Sequence, residues 1–201
     1  MLTQKISYKA AELPPPQRSE ILRYMQAKDI TPTLEKMISE ALDEAERSMR
    51  FSVCWREVPF SLTKNGFTLA GKPIESRDFA SYLLDADRLL LFAATTGLSF
   101  ERVLQKATKL SPVRALCLHA VGSERTEALC DAFCNFIAKE AKKEGLTPKP
   151  RFSAGYGDLP LSLQKQIFAL LEPERLIGVS LGAGCLMTPV KSVTAFVALR
   201  K

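Results

Sequence analysis

Arg151 stands four residues ahead of Gly155-Tyr156-Gly157, and Asp158 and Pro160 close the same stretch before an apolar helical pattern begins. A guanidinium pairs with a carboxylate through a rigid fork of donors. Glycines let backbone amides approach a ligand closely, and a tyrosine offers a ring face with a hydroxyl at its edge. Together these groups suit a small zwitterion that carries an aromatic ring. The same residues also make an ordinary surface turn whose tyrosine covers the core, and residue types alone leave both readings standing.

Other constellations are weaker. Cys130 and Cys134 lie one helical turn apart with Glu127 and Asp131 beside them, a spacing that could share a metal. No histidine stands in that stretch, so small buried thiols are the better account. His119, the sole histidine, has no serine or cysteine nucleophile motif near it, and a structural role is expected. Gly182-Ala183-Gly184-Cys185 fails both the dinucleotide fingerprint and the P-loop order, which predicts a turn. Phe51 to Phe60, with Trp55 and Arg56 inside it, could offer an aromatic and basic face to single strands. No nucleic-acid motif accompanies it, so core packing is expected and nucleic acid is not.

The elements that must position these groups follow from periodicity. Leu13-Pro14-Pro15-Pro16 breaks early structure and predicts an N-terminal arm over residues 1–18, followed by a short helix through Ile21, Leu22 and Met25. Thr31-Pro32 caps an amphipathic helix carrying Leu34, Met37, Ile38, Ala41 and Ala45. From Phe51 to Pro73 the period shortens around Asn65-Gly66, which predicts an antiparallel hairpin. A helix after Ser76 and a buried strand over Leu89 to Ala94 come next. Two helices follow, one after Ser99 and one after Ser111-Pro112, with a kink or break expected at Gly122-Ser123-Glu124. Beyond the opening stretch, a helix over about Ser162 to Leu171, a strand over Leu176 to Leu181, a glycine loop and a strand over Ser192 to Leu199 complete the pattern. Interspersed helices and strands with a hairpin predict an α+β fold, a largely antiparallel sheet with packed helices, in one domain over residues 1–201.

With 201 residues, 46% of them hydrophobic, the chain can bury a core without disulfide staples. Five cysteines without a CxxC pair suit reduced thiols. Twenty-eight basic and 22 acidic residues give a net charge of +6, but the lysines and arginines form no dense tract. No eighteen-residue apolar run and no leader-like start are present, which predicts a cytoplasmic protein without a membrane span.

The ordered set Arg151, Gly155-Tyr156 and Pro160 resembles the Arg-x-x-x-Gly-Tyr-x-x-x-Pro motif of the activation (reactivation) domain of cobalamin-dependent methionine synthase. Gly178-Val179-Ser180-Leu181, Met187-Thr188-Pro189 and Ser192-Val193-Thr194 resemble that family's later strand, its Met-x-Pro turn and its Ser-Val-Ser strand, in the same order. Upstream, Arg88 with LLLFAATTG and the segment GSERTEALCDAF are similar to short stand-alone versions of the domain. The resemblance implies the family's fold and a ligand, S-adenosylmethionine, presented to a corrinoid during reductive reactivation. It implies that Arg151 meets the ligand's carboxylate, that Ala154, Gly155 and Tyr156 form the loop lining the site, and that Glu127 meets the ammonium or sulfonium charge.

The corrinoid belongs to a partner, because base-off cobalamin binding uses an Asp-x-His-x-x-Gly loop and the only histidine here sits in Leu118-His119-Ala120. The zinc thiolates that bind homocysteine are absent too, so the implied role is an accessory subunit of a split methyltransferase system, not active alone. Its implied partners are a methionine synthase lacking its own activation domain or another corrinoid protein, with a flavodoxin or ferredoxin as electron donor. Gly157-Asp158-Leu159 stands in place of the family's Pro-Ala-Cys, and Leu181-Gly182-Ala183-Gly184 in place of its Thr-Glu-Ser. The alternative implied by these departures is a non-catalytic adaptor of a corrinoid protein that has lost S-adenosylmethionine binding.

Overall fold

Two central strands decide the architecture. A computed structural model describes residues 2–27 and 29–201. In it the apolar runs of β6 (Arg88–Thr95) and β10 (Ser192–Arg200) pair antiparallel, from Ser192 opposite Thr95 to Leu199 opposite Arg88. Around them β1 (Gln4–Tyr8), β2 (Phe51–Glu57) and β7 (Thr147–Pro148) complete a five-stranded sheet of order β1-β2-β6-β10-β7, antiparallel throughout. The two middle strands read as continuous apolar runs because both faces of the sheet are covered. The segment expected as an arm before residue 18 thus carries an edge strand.

Successive side chains alternate between the two faces. Val53, Trp55, Phe92 and Val197 join a core closed by α1 (Arg18–Met25), α2 (Pro32–Ser48), α4 (Leu98–Leu110) and α5 (Pro112–Lys143). Cys54, Leu91, Phe196 and Ala198 join a second core with α3 (Arg77–Leu83), α6 (Gln164–Leu171) and a separate three-stranded sheet of β3 (Phe60–Thr63), β4 (Gly66–Leu69) and β5 (Lys72–Glu75). The expected hairpin is present one residue earlier than predicted: Lys64 and Asn65 make the turn, and Gly66 already pairs with Thr63. Trp55 packs 5.3 Å from Phe133 between ring centroids and is buried, so its aromatic neighbourhood is core.

Two expectations are corrected. α5 runs unbroken for 32 residues through Gly122-Ser123-Glu124. Gly122 is there for close packing: a Cβ at that position would come within 2.7 Å of the Phe100 ring on α4. The charge at Glu124 is absorbed by Arg125, at 2.6 Å, and by the Gln17 backbone amide. The strand predicted over Leu176 to Leu181 begins instead as a helical turn, α7 (Pro173–Ile177), because Pro173 at its first position presets helical φ. Gly178 then ends the turn, and only β8 (Ser180–Leu181) pairs, with β9 (Met187–Thr188). Among the described residues no helix is long and apolar enough to cross a membrane.

Candidate ligand site

Phe152 fixes where Arg151 points. Its backbone exchanges two hydrogen bonds with Phe196, at 3.0 and 2.8 Å, as an isolated bridge on the outer side of β10. Its ring joins the second core, in edge contact with Phe79 at 5.1 Å. Alternation along an extended chain then turns Arg151 to the opposite face, toward α5. There Arg151 Nη2 lies 2.9 Å from Glu127 Oε2 and 3.1 Å from Asp131 Oδ1, with the guanidinium side chain 26% exposed.

The bend that follows is held by its own backbone. The Gly155 amide donates to the Leu159 carbonyl at 2.8 Å, the Tyr156 amide to the Ser153 carbonyl and the Leu159 amide to the Tyr156 carbonyl. Both glycines have positive φ. This corrects the expectation that these amides face a ligand: the Gly155 and Tyr156 N–H groups are spent on the turn. A second lock ties the bend to α3. The Asp158 carboxylate accepts from the Ser76 hydroxyl and from the Arg77 and Asp78 amides, while Asp78 Oδ2 accepts from the Asp158 amide at 3.1 Å. The Ser76 hydrogen bond, helped by those amides against desolvation, holds the Asp158 carboxyl below its ordinary value.

The result is a cleft of about 640 Å³ between the bend, α5, the first residues of β10 and the loop around β9. Glu127, Arg151, Ala154 and Tyr156 all line it. Gly155 shapes the bend without lining the cleft. Its floor is polar: buried Gln164 bonds Thr194 Oγ1 through Nε2 at 2.8 Å and through Oε1 at 3.0 Å. Its mouth is apolar, with Tyr156 69%, Leu186 72% and Val190 53% exposed. A volume in this range is typical of small-molecule sites.

Gln164, Thr194, Leu186 and Val190 were not singled out by the sequence reading as site residues. A signal for the floor did exist, since Ser192 and Thr194 alternate with apolar residues at the start of an otherwise greasy strand. The thiols behave as buried hydrophobes. Burial pushes the Cys130 thiol upward against the pull of Arg151, and pushes Cys134 up to about 11. Among the described residues no group of three or more His, Cys, Asp and Glu side chains could hold a metal. His119 is exposed on α5, outside the cleft.

No family model and no curated protein matches the chain. A solved structure does. The fold is that of the MetH reactivation domain, whose crystal structure bound to AdoHcy matches with a TM-score of 0.68 over 98% of this chain and 78% of that one. Sequence identity is 13%, so the likeness speaks for the fold: an antiparallel sheet with packed helices, as the sequence predicts.

Proposed function

We propose that this protein binds S-adenosylmethionine in the cleft at Arg151 and presents it to the corrinoid of a partner protein for reductive reactivation. The reading is carried by one observation: a half-buried guanidinium, flanked by carboxylates and an exposed tyrosine ring, sits in an open cleft of suitable size. The donor set fits a charged amino acid with an aromatic base. Arg151 takes the carboxylate through its unused donors, Glu127 the ammonium or sulfonium, and the Tyr156 ring the adenine. The counterpart fold was crystallised with AdoHcy, which supports a ligand of this class.

S-adenosylmethionine supplies the methyl group to a reduced cobalt that the partner holds. This chain's own residues do the positioning: they fix the amino-acid end against a rigid wall and leave the opposite side of the ligand facing an apolar mouth. Leu161, Leu186 and Val190 around that mouth would be covered by the corrinoid partner, a methionine synthase without its activation domain or another corrinoid methyltransferase. A flavodoxin or ferredoxin would deliver the electron, in the cytoplasm.

Calorimetric titration with S-adenosylmethionine tests the reading. Saturable heat is expected, with Arg151→Ala weakening binding on the order of 30-fold or more, the loss of a charge-assisted pair. A wild-type protein that yields no heat yet still retains a corrinoid protein on a column would replace this reading by the adaptor.

A further inference from the structure

Lys191 separates Val190 and Ser192, which both line the cleft, yet it turns its own side chain away, against α5. The stem lies across Gly122: a Cβ on that glycine would come within 3.0 Å of Lys191 Cε and 3.2 Å of its Cγ. At the end of the stem Nζ donates to the Ser123 hydroxyl at 2.8 Å, and that hydroxyl donates onward to the His119 carbonyl at 3.0 Å. The Lys191 carbonyl accepts from the Thr96 amide at 3.1 Å, which fixes the residue from the strand side.

Two titratable groups face this amine. From α4 comes Glu101, buried, with its oxygens already taken by the Val190 amide at 2.9 Å and Gln105 Nε2 at 3.0 Å. From α5 comes His119, which partial desolvation and then Lys191 hold below its ordinary value. Lys36, Lys143 and Lys149 each pair with an acid, whereas Lys191 meets a neutral hydroxyl. Burial therefore lowers the basicity of the Lys191 amine against the opposing pull of Glu101.

We propose that Lys191 is a site of covalent modification, primed to take the acyl group of a small acyl phosphate. The inference stands apart from any ligand in the cleft. A lysine attacks through its neutral amine, and enclosure in a dry setting favours that form. Neutral Nζ keeps one hydrogen on Ser123 and leaves its lone pair free. The lone pair attacks the acyl carbon, an N–C bond forms, and the C–O bond to phosphate breaks. Phosphate leaves with that electron pair, and the surplus proton on nitrogen passes to water. The product is a neutral amide, which suits the half-buried site better than an ammonium and removes a positive charge one residue from Val190 at the mouth.

Treating the purified protein with acetyl phosphate and following each lysine by peptide mass mapping tests the proposal. At about pH 7.5 Lys191 should be acetylated roughly threefold or more faster than the exposed Lys64, Lys72 and Lys165, because an amine in water stays protonated until about pH 10. That lead should shrink as the pH is raised toward about 10. Glu101→Gln should speed Lys191 further at neutral pH and leave the exposed lysines alone, since it removes the charge that helps hold the proton. Acetylation no faster than at the exposed lysines at any pH would mean an amine sealed rather than primed, and overturns the proposal. A lead undiminished at high pH would trace to acyl phosphate held nearby and overturns it too. Should Glu101→Gln unfold, the wild-type pH profile decides the matter alone.

Discussion

The two walls of the cleft are built in opposite ways. The wall at residues 151–160 is anchored three times over: by the Phe152 bridge to β10, by the reciprocal Asp158 and Asp78 bonds to α3, and by the Phe79, Phe152 and Phe196 ring cluster beneath it. The facing wall, residues 182–190, is held more lightly, by the two-residue pairing of β8 with β9, a Gly182 amide bond to the Leu186 carbonyl at 2.8 Å and, at its far end, a Val190 amide bond to Glu101 of α4 at 2.9 Å. Leu186 and Val190 project from it into solvent. A site that must grip a charged head in one geometry, yet admit and release a bulky ligand, needs this asymmetry. Rigid support gives the guanidinium its orientation, and few buried contacts leave the other side easy to open.

The largest test of that contrast removes the shared support under the rigid wall. Phe79 is fully buried, with Phe67 and Phe196 rings at 4.7 and 4.9 Å. Phe79→Ala should cost about 3–5 kcal/mol in urea unfolding. A loss below about 1 kcal/mol would mean that the ring cluster is not the anchor. Next come the glycines. Gly157 has φ of 53°, and a Cβ there would run into the Asp78 carboxylate. Gly184 on the loose wall has φ of 67° with nothing within 4 Å of a Cβ. Alanine should therefore cost about 2 kcal/mol at 157 and about 1 kcal/mol at 184. Equal costs would remove the distinction between a bend locked to α3 and a free loop.

The rigid wall was legible in the sequence to a degree that the loose wall was not. Arg151, the glycine bend and Pro160 are local signals, each residue type tied to a backbone need. The interspersed period-2 and period-3.6 stretches likewise gave the α+β class. What escaped detection depends on contacts between distant segments. Gly122 looks like a helix break until Phe100 of α4 is seen against it. Asp158 looks like a turn residue until its carboxylate is found at the start of α3, some eighty positions away in sequence. Leu176 and Ile177 carry a strand-like pattern that Pro173 overrides locally. The 182–190 loop offered no periodicity, and its part in the cleft comes wholly from where β10 and α6 leave it.

Two smaller effects finish the comparison. Because the Asp158 carboxyl is held below its ordinary value of 3.8, its contribution is present at neutral pH and lost as the pH falls through the lowered folded value. Acid titration of unfolding should thus be steeper for the wild type than for Asp158→Asn below about pH 4, and identical slopes would show that the cap does not support the wall.

The smallest change in stability belongs to Leu186→Ala. That side chain is 72% exposed and makes no core contact, so unfolding should shift by less than about 0.5 kcal/mol. Its effect should appear elsewhere. If the mouth is covered by a corrinoid partner, trimming one rim leucine removes apolar area from that contact and weakens capture of the partner severalfold, about 1 kcal/mol. Binding of S-adenosylmethionine to the isolated protein should meanwhile stay nearly unchanged. A drop in ligand affinity with partner capture intact would reverse the assignment and make the loose wall part of the ligand grip.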